Sequence, residues 1–306
     1  MNDIKTVGVV GLGALGTLFA HLLTQGCGRE NVLVLADRAR IRRYEAEGVY
    51  FNGARCDFNY TAAEDCTQKP DLLLFAVKFG ALDAAIRLCR HLVTPETTLV
   101  SVLNGVSSEQ VLGDAFTPQQ VVWCVAQKMS AVKEGNHAAA DPLGELAVGV
   151  PAELDRRHLD RLTAFFDKIG FPYSLPEDIR THMWSKLLCN VGCNQSTMVF
   201  QCGYGGLQQP GSKARETMLG AMKEVILVAN AQGIPLSEAD IRHWVGIIDS
   251  FPPDGEPSMR QDGKAHRKSE VELFAGTICR YARHLGLDVP VNTWLYQEVQ
   301  RIEATY

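Results

Sequence analysis

The chain has 306 residues, 46% hydrophobic and 21% charged, with 30 Lys+Arg against 35 Asp+Glu for a net charge of −5. At roughly 150 residues per domain this length predicts two domains, with the composition of a folded globular protein rather than a disordered or fibrous one. The lack of basic excess, the absence of an apolar run near the ~18 residues of a membrane span, and a start without a secretory segment exclude nucleic acid and membrane as main partners; the cytoplasm is the expected address.

Residues 6–10, 31–36, 72–77 and 98–103 are short, apolar and bounded by Gly, Asp, Pro or Asn, which predicts buried strands. Between them, 14–25 and 81–91 have helical spacing, and Ser107-Ser108-Glu109-Gln110 offers a capping box for a third helix. Strand, helix, strand in sequence implies a parallel sheet with right-handed crossovers. Strands over 121–128 and 145–150 and a helix over 153–169 are expected to complete it. After Leu175 long helical periods dominate, broken by Gly/Pro stops at 203–211, 233–235, 251–257 and 286–290, with Asp178, Ser212 and Ser237 as candidate N-caps.

Gly11-Leu12-Gly13-Ala14-Leu15-Gly16 follows a predicted strand and opens a predicted helix, and Asp37 ends the next strand about twenty residues on. The glycines allow a tight turn, close approach of backbone N–H groups to a pyrophosphate, and close helix-to-sheet packing, while the helix N-terminus adds positive charge. These features together favour dinucleotide binding over a plain glycine turn. The expected architecture is an α/β Rossmann-type domain with a mainly parallel sheet over 1–175, then an all-helical domain over 176–306. Lys78 and Asn104 each follow an apolar run, so they are placed with the glycine loop at the carboxyl ends of the strands, where such sheets bind ligands.

In the helical half, Lys186, Asn190 and Asn194 are spaced i, i+4, i+8 among Met183, Trp184, Leu187, Leu188 and Val191. On a helix they form one stripe, an amine that can donate a proton and two amides that can orient a carbonyl substrate. Cys189 and Cys193 are also four apart but lack a neighbouring His or carboxylate at ligand spacing, so they are assigned to core packing and no metal is expected. The nine cysteines contain no CxxC pair and suggest no disulfide framework. Ser258-Met259-Arg260-Gln261-Asp262 and Glu270, placed at the start of a helix running toward His284, close the set of candidates; by itself Glu270 is an ordinary helix carboxylate.

Taken in order, the glycine motif, Ala76-Val77-Lys78, Leu103-Asn104-Gly105, Trp184-Ser185-Lys186-Leu187 with Asn190 and Asn194, Ser258-Met259-Arg260-Gln261-Asp262 and Glu270 resemble the ketopantoate reductases (2-dehydropantoate 2-reductases) along nearly the whole chain. The resemblance implies NADPH-dependent reduction of ketopantoate to pantoate, a step toward pantothenate and coenzyme A. It further implies Lys186 as general acid, Glu270 as its support, Asn190, Asn194 and Ser258 as substrate ligands, and Lys78 and Asn104 near the nicotinamide and its ribose. Two positions depart from the family pattern: an asparagine before the Ser-Met pair falls on Gly255, and Ile-Asn-Gly after the glutamate is Phe274-Ala275-Gly276. The pocket is therefore expected to differ, which leaves another 2-keto acid open.

Asp37 is of the type that accepts from the ribose 2′-OH of NAD, yet Arg38, Arg40, Arg42 and Arg43 follow at once and can grip a 2′-phosphate. If Asp37 caps the following helix its charge is partly neutralised and the arginines decide; NADPH is expected, with Arg38 leading and NAD left open. The competing functions are a β-hydroxyacid dehydrogenase, against which Glu270 and Ser258-Met259 count, and a nucleotide-sensing regulator, against which Lys186 and Glu270 count. A small-molecule substrate is the expected partner, with a homodimer left open.

Overall fold

Runs of four or five apolar residues are too short for a helical face, and in the computed structural model, which describes residues 2–306, they become the buried strands of one sheet. In chain order these elements are β1 (Val7–Val10), α1 (Ala14–Cys27), β2 (Val32–Ala36), α2 (Arg38–Glu47), β3 (Tyr50–Phe51), β4 (Ala54–Arg55), β5 (Asn59–Ala62), β6 (Leu72–Phe75), α3 (Leu82–Cys89), β7 (Thr98–Ser101), α4 (Ser108–Ala115), β8 (Val121–Glu134), β9 (His137–Gly149), α5 (Arg157–Ile169) and β10 (Tyr173–Ser174). The sheet runs β4-β3-β9-β8-β7-β6-β1-β2-β5, with β10 on β9. From β7 to β5 every pairing is parallel, as is β7 with the first residues of β8. Because side chains alternate across a strand, Leu72 and Leu74 pack with Val7, Val9, Phe19 and Phe166 on one face. Leu73 and Phe75 pack with Leu35, Leu82, Ile86 and Leu112 on the other.

This unit contains the chain through Asn104 and resumes over Ser108–Ile179; a second unit comprises Gly105–Ser107 and Arg180–Tyr306. The second is built from α6 (Ile179–Val199), α7 (Tyr204–Gln208), α8 (Lys213–Ala231), α9 (Glu238–Ser250), α10 (Ser258–Lys264), α11 (Ala275–Leu285) and α12 (Pro290–Glu303). Ser212 accepts from the Arg215 amide, and Ser237 with Asp240 forms a full capping box. Buried Glu224 receives Val291 N, Asn292 N and Asn292 Nδ2, each at 2.8 Å, which satisfies the first amides of α12 behind its opening Pro290. No helix among the described residues is long and apolar enough to cross a membrane.

Several elements differ from the sequence expectations. The strands expected at 121–128 and 145–150 are the inner part of a hairpin that continues to Glu134 and starts again at His137. Its outer half alternates exposed, mostly polar residues with partly buried ones and is irregular between Met129 and Ala131, so it carries no apolar run to read. The short strands β3, β4 and β5 hold few buried residues and were equally silent. Helix α5 begins at Arg157, not 153. The helix expected to start at Glu270 begins at Ala275, because Ala275 N donates to the Gln195 side chain (3.0 Å) and Gly276 N to Val271 O, which interrupts the i to i−4 ladder.

His158 on α5 is fully buried, with Nδ1 2.9 Å from Thr98 Oγ1 and Nε2 without a partner. Burial, aided by Arg157 and Arg161, lowers its pKa from 6.5 to about 4. The unfolded chain takes up this proton at the higher value and the folded chain resists it, so stability is intact above pH 6.5 and declines as the pH falls toward about 4. His158→Gln should remove this part of the acid sensitivity. The gap between wild-type and variant unfolding free energies, followed by denaturant melts over that range, should shift by on the order of 2–3 kcal/mol; parallel curves would show that His158 titrates as in the unfolded chain.

Candidate active site

The parallel ladders set Val10 level with Leu35 and with Phe75. Backbone bonding continues one residue beyond the strands, from Ala76 N to Val10 O (2.8 Å) and from Val102 N to Phe75 O (3.0 Å). Gly13, Lys78 and Asn104 are each the third residue past adjacent, in-register strands β1, β6 and β7. They therefore stand in a row at the carboxyl edge. β1 lies between β2 and β6, where the strand order reverses, the position at which open α/β sheets bind ligands.

The glycine loop fits a dinucleotide on geometric grounds. Gly11 has φ +96°, and a Cβ there would lie 2.6 Å from Ala76 O; at Gly16 a Cβ would lie 2.0 Å from Gly11 O. Above Gly13 the nearest atom to a built Cβ is 3.9 Å away, so the loop presents an open backbone face. The amides around Leu12, Gly13, Ala14 and Leu15 meet the N-terminus of a 14-residue helix with no acidic residue in its first turn, which leaves the helix's positive end for an anion.

Asp37 caps α2, accepting from Arg40 N at 2.8 Å and pairing with the Arg40 guanidinium at 3.3 Å. Arg38 binds both oxygens of Asp65 at 2.5 to 2.9 Å, with Glu64 3.8 Å away. Lys78 begins a short 3-10 turn. The Asn104 loop is held by a relay in which Leu103 N donates to Ser101 Oγ, Ser101 to Ser108 Oγ, and Ser108 to Glu109 Oε2. Glu109 Oε1 is buried without a partner, and burial pushes this carboxyl up to about 8. The Ser-x-x-Gln spacing had suggested an ordinary capping box, and nothing in the sequence marked Glu109 as the buried end of this relay; Gln110 gives its amide to Asp114 at 2.7 Å.

In the helical unit, α6 carries Lys186, Asn190 and Asn194 on successive turns, flanked by buried Trp184, Leu187, Leu188 and Val191. Asn194 is 6% exposed; its Nδ2 donates to Asn190 Oδ1 (3.2 Å), while its Oδ1 accepts from Ser258 Oγ and Met259 N (both 3.3 Å). One side chain thus ties the stripe to the first turn of α10. Glu270 is half-buried in a turn whose carbonyl accepts from Leu273 N and Phe274 N, and the preceding Ser269 N is held by Glu303. The part-buried Cys189 thiol near Lys186 is pushed up to about 12 by desolvation and stays neutral. Gly255 lies under Tyr204, whose ring a Cβ would meet at 3.0 Å, and its carbonyl accepts from Tyr204 N. No asparagine side chain fits there without moving that ring.

Two models described as ketopantoate reductase PanE/ApbA match the chain, one over residues 7–153 and its C-terminal counterpart over 178–303. The chain belongs to this family. It is a nicotinamide-dependent oxidoreductase of the 2-dehydropantoate 2-reductase type. A protein of that name from Salmonella typhimurium is 26% identical over 305 residues, spanning 97% of this chain and 95% of its own. The crystal structure of a PanE/ApbA family ketopantoate reductase from Ralstonia eutropha JMP134 superposes with TM-score 0.84 at 25% identity, covering 99% of both chains. A D-mandelate dehydrogenase solved with NADH and anilino(oxo)acetate shares the fold, with TM-score 0.84 at 20% identity over 98% of this chain and 99% of its own.

The contact between Gly16 and Gly11 O makes Gly16→Ala a sharp probe. A Cβ at that distance forces α1 off the loop, with an expected loss of about 1–3 kcal/mol and weakened dinucleotide binding. Thermal melts with and without cofactor check it, and an unchanged melting temperature in both would mean that the helix does not rest on the loop.

Proposed function

We propose that this protein is a cytoplasmic, NADPH-dependent reductase of a 2-keto acid, foremost of ketopantoate to pantoate on the way to pantothenate and coenzyme A. The observation that carries the reading is the bonded set in which Asn190 and Asn194, one and two turns along α6 from Lys186, are tied to Ser258 of α10. When bound, the reduced nicotinamide supplies hydride to the keto carbon. The Lys186 ammonium gives its proton to the oxygen that becomes the alcohol, since an alkoxide is far more basic than an amine. With Asn190 Oδ1 engaged by Asn194, what Asn190 offers a substrate is its Nδ2 donors. On substrate binding Ser258 turns its one hydroxyl proton from Asn194 Oδ1 to the carboxylate, and Glu270 supports the lysine charge. Lys78 and Asn104 serve the nicotinamide ribose. NADPH is favoured over NADH because Asp37 is spent on the Arg40 amide and guanidinium, which takes up the carboxylate that would accept from a ribose 2′-hydroxyl.

A reductase of another 2-keto acid is the second reading, favoured by Gly255 under Tyr204 where the family has an amide side chain. A panel of 2-keto acids, ketopantoate included, assayed by NADPH oxidation separates the two by relative kcat/KM.

Lys186→Ala should lower kcat by about 10²–10⁴-fold with cofactor affinity unchanged; full kcat in this variant would remove Lys186 from the proton transfer. Asn194→Ala should cost more kcat/KM than Ser258→Ala, because it also strands the Met259 amide and loosens α10, and it should lower stability by about 1–3 kcal/mol. Equal kinetic losses and an unchanged melting temperature would contradict the anchoring role of Asn194.

A further inference from the structure

The cations near the glycine loop are not equivalent. Arg38 is answered by Asp65 and Glu64, and Arg40 by Asp37. Lys133, near the tip of the β8–β9 hairpin opposite Ala138, is different: its ammonium donates to the carbonyl of Leu12, inside the glycine loop and 121 residues away in sequence. The residue is half-buried. Among the described residues the charged neighbour acting on it is another cation, Arg43 of α2, and the nearby Cys56 thiol is neutral, pushed up to about 11 by burial. Burial and Arg43 together hold the Lys133 amine below its usual range. Two like charges acting on each other in a partly desolvated place are unfavourable without an anion.

The strand ends locate that place. β1 and β2 are parallel neighbours with Val10 level with Leu35, so the glycine loop that holds Leu12 and Asp37, the residue that follows β2, leave adjacent strand ends. This is where a dinucleotide-binding sheet receives the ribose 2′ position of the adenosine half. A 2′-phosphate carries nearly two negative charges and three acceptor oxygens, whereas a 2′-hydroxyl carries none of that charge. An ammonium with one donor on Leu12 O has two left for such oxygens.

We propose that Lys133, with Arg43, is the cation pair that receives the 2′-phosphate and so sets the preference for NADPH, the hairpin reaching the glycine loop through the bond from Lys133 to Leu12 O. The proposal rests on the NADPH reading and goes beyond it by moving the phosphate contact from Arg38 to a residue of the hairpin.

Binding of 2′,5′-ADP and of 5′-AMP to the purified protein, measured by titration calorimetry without substrate or turnover, tests it. Wild type should bind 2′,5′-ADP more tightly. Lys133→Met and Arg43→Met should each lose about 10–100-fold of 2′,5′-ADP affinity, the range for a charge-assisted hydrogen bond, with 5′-AMP affinity unchanged. Lys133→Arg, which keeps the charge and guards against a folding defect, should retain most of the preference. Loss of selectivity in Arg38→Ala but not in Lys133→Met would return the phosphate to Arg38 and overturn the proposal while leaving the NADPH reading intact. Equal loss of both ligands in Lys133→Met and Lys133→Arg would make Lys133 a mere prop for the loop and overturn it likewise. A wild type indifferent to the 2′-phosphate would overturn the NADPH reading itself.

Discussion

At the carboxyl end of β1 the chain approaches itself at backbone distance, with Gly16 of α1 against the Gly11 carbonyl and Gly11 against the Ala76 carbonyl beyond β6. No side chain fits at either contact. Because interiors are close-packed and relax only partly, a helix held this near to the strand ends cannot slide. Its N-terminus therefore stays over the point where the strand order reverses, and the row Gly13, Lys78, Asn104 is set by the same register. The nucleotide half of the chemistry depends on this one steric constraint.

Charge is distributed around that constraint by local pairing. Helix α1 has no acid in its first turn, so its positive end stays available, whereas α2 is capped by Asp37 on Arg40 N and by Glu64 on Arg38 N. Two glutamates show how far surroundings decide the outcome. Glu224 is met by three N–H donors and serves as the fixed cap of α12. Glu109 is met by one hydroxyl, with its other oxygen unpartnered, so burial dominates and the group holds its proton near neutrality.

In the helical unit the polar stripe on α6 is partly structural. Asn194 uses its acceptor on the first turn of α10 and its donor on Asn190, so the position of Ser258 is fixed by the same residue that aligns the stripe. Such shared bonding reduces the freedom of each side chain before any substrate arrives, which is how a site gains orientation without added contacts. Gln195, one residue on, similarly holds the start of α11 through Ala275 N and so fixes the turn that carries Glu270.

The alternation of short apolar runs with amphipathic segments, the glycine spacing, and the change to helical periodicity after Leu175 were readable because each is local: periods of two and 3.6 residues and a turn that only glycine can make are properties of a few neighbouring residues. Asp37 as a cap and Ser212 and Ser237 as N-caps were legible for the same reason. The outer hairpin was not, because it carries no apolar run; nor were the delayed start of α11, the pairing of Arg38 with Asp65, the burial of Glu109 and the seat of Lys133 on Leu12. Each of these four depends on a partner between 27 and 121 residues away or on the loss of water around a charged group, as with Arg38 and Lys133. Sequence spacing carries no record of which distant carbonyl a lysine meets; only the folded chain, by removing solvent and choosing the partner, decides what its charge is for.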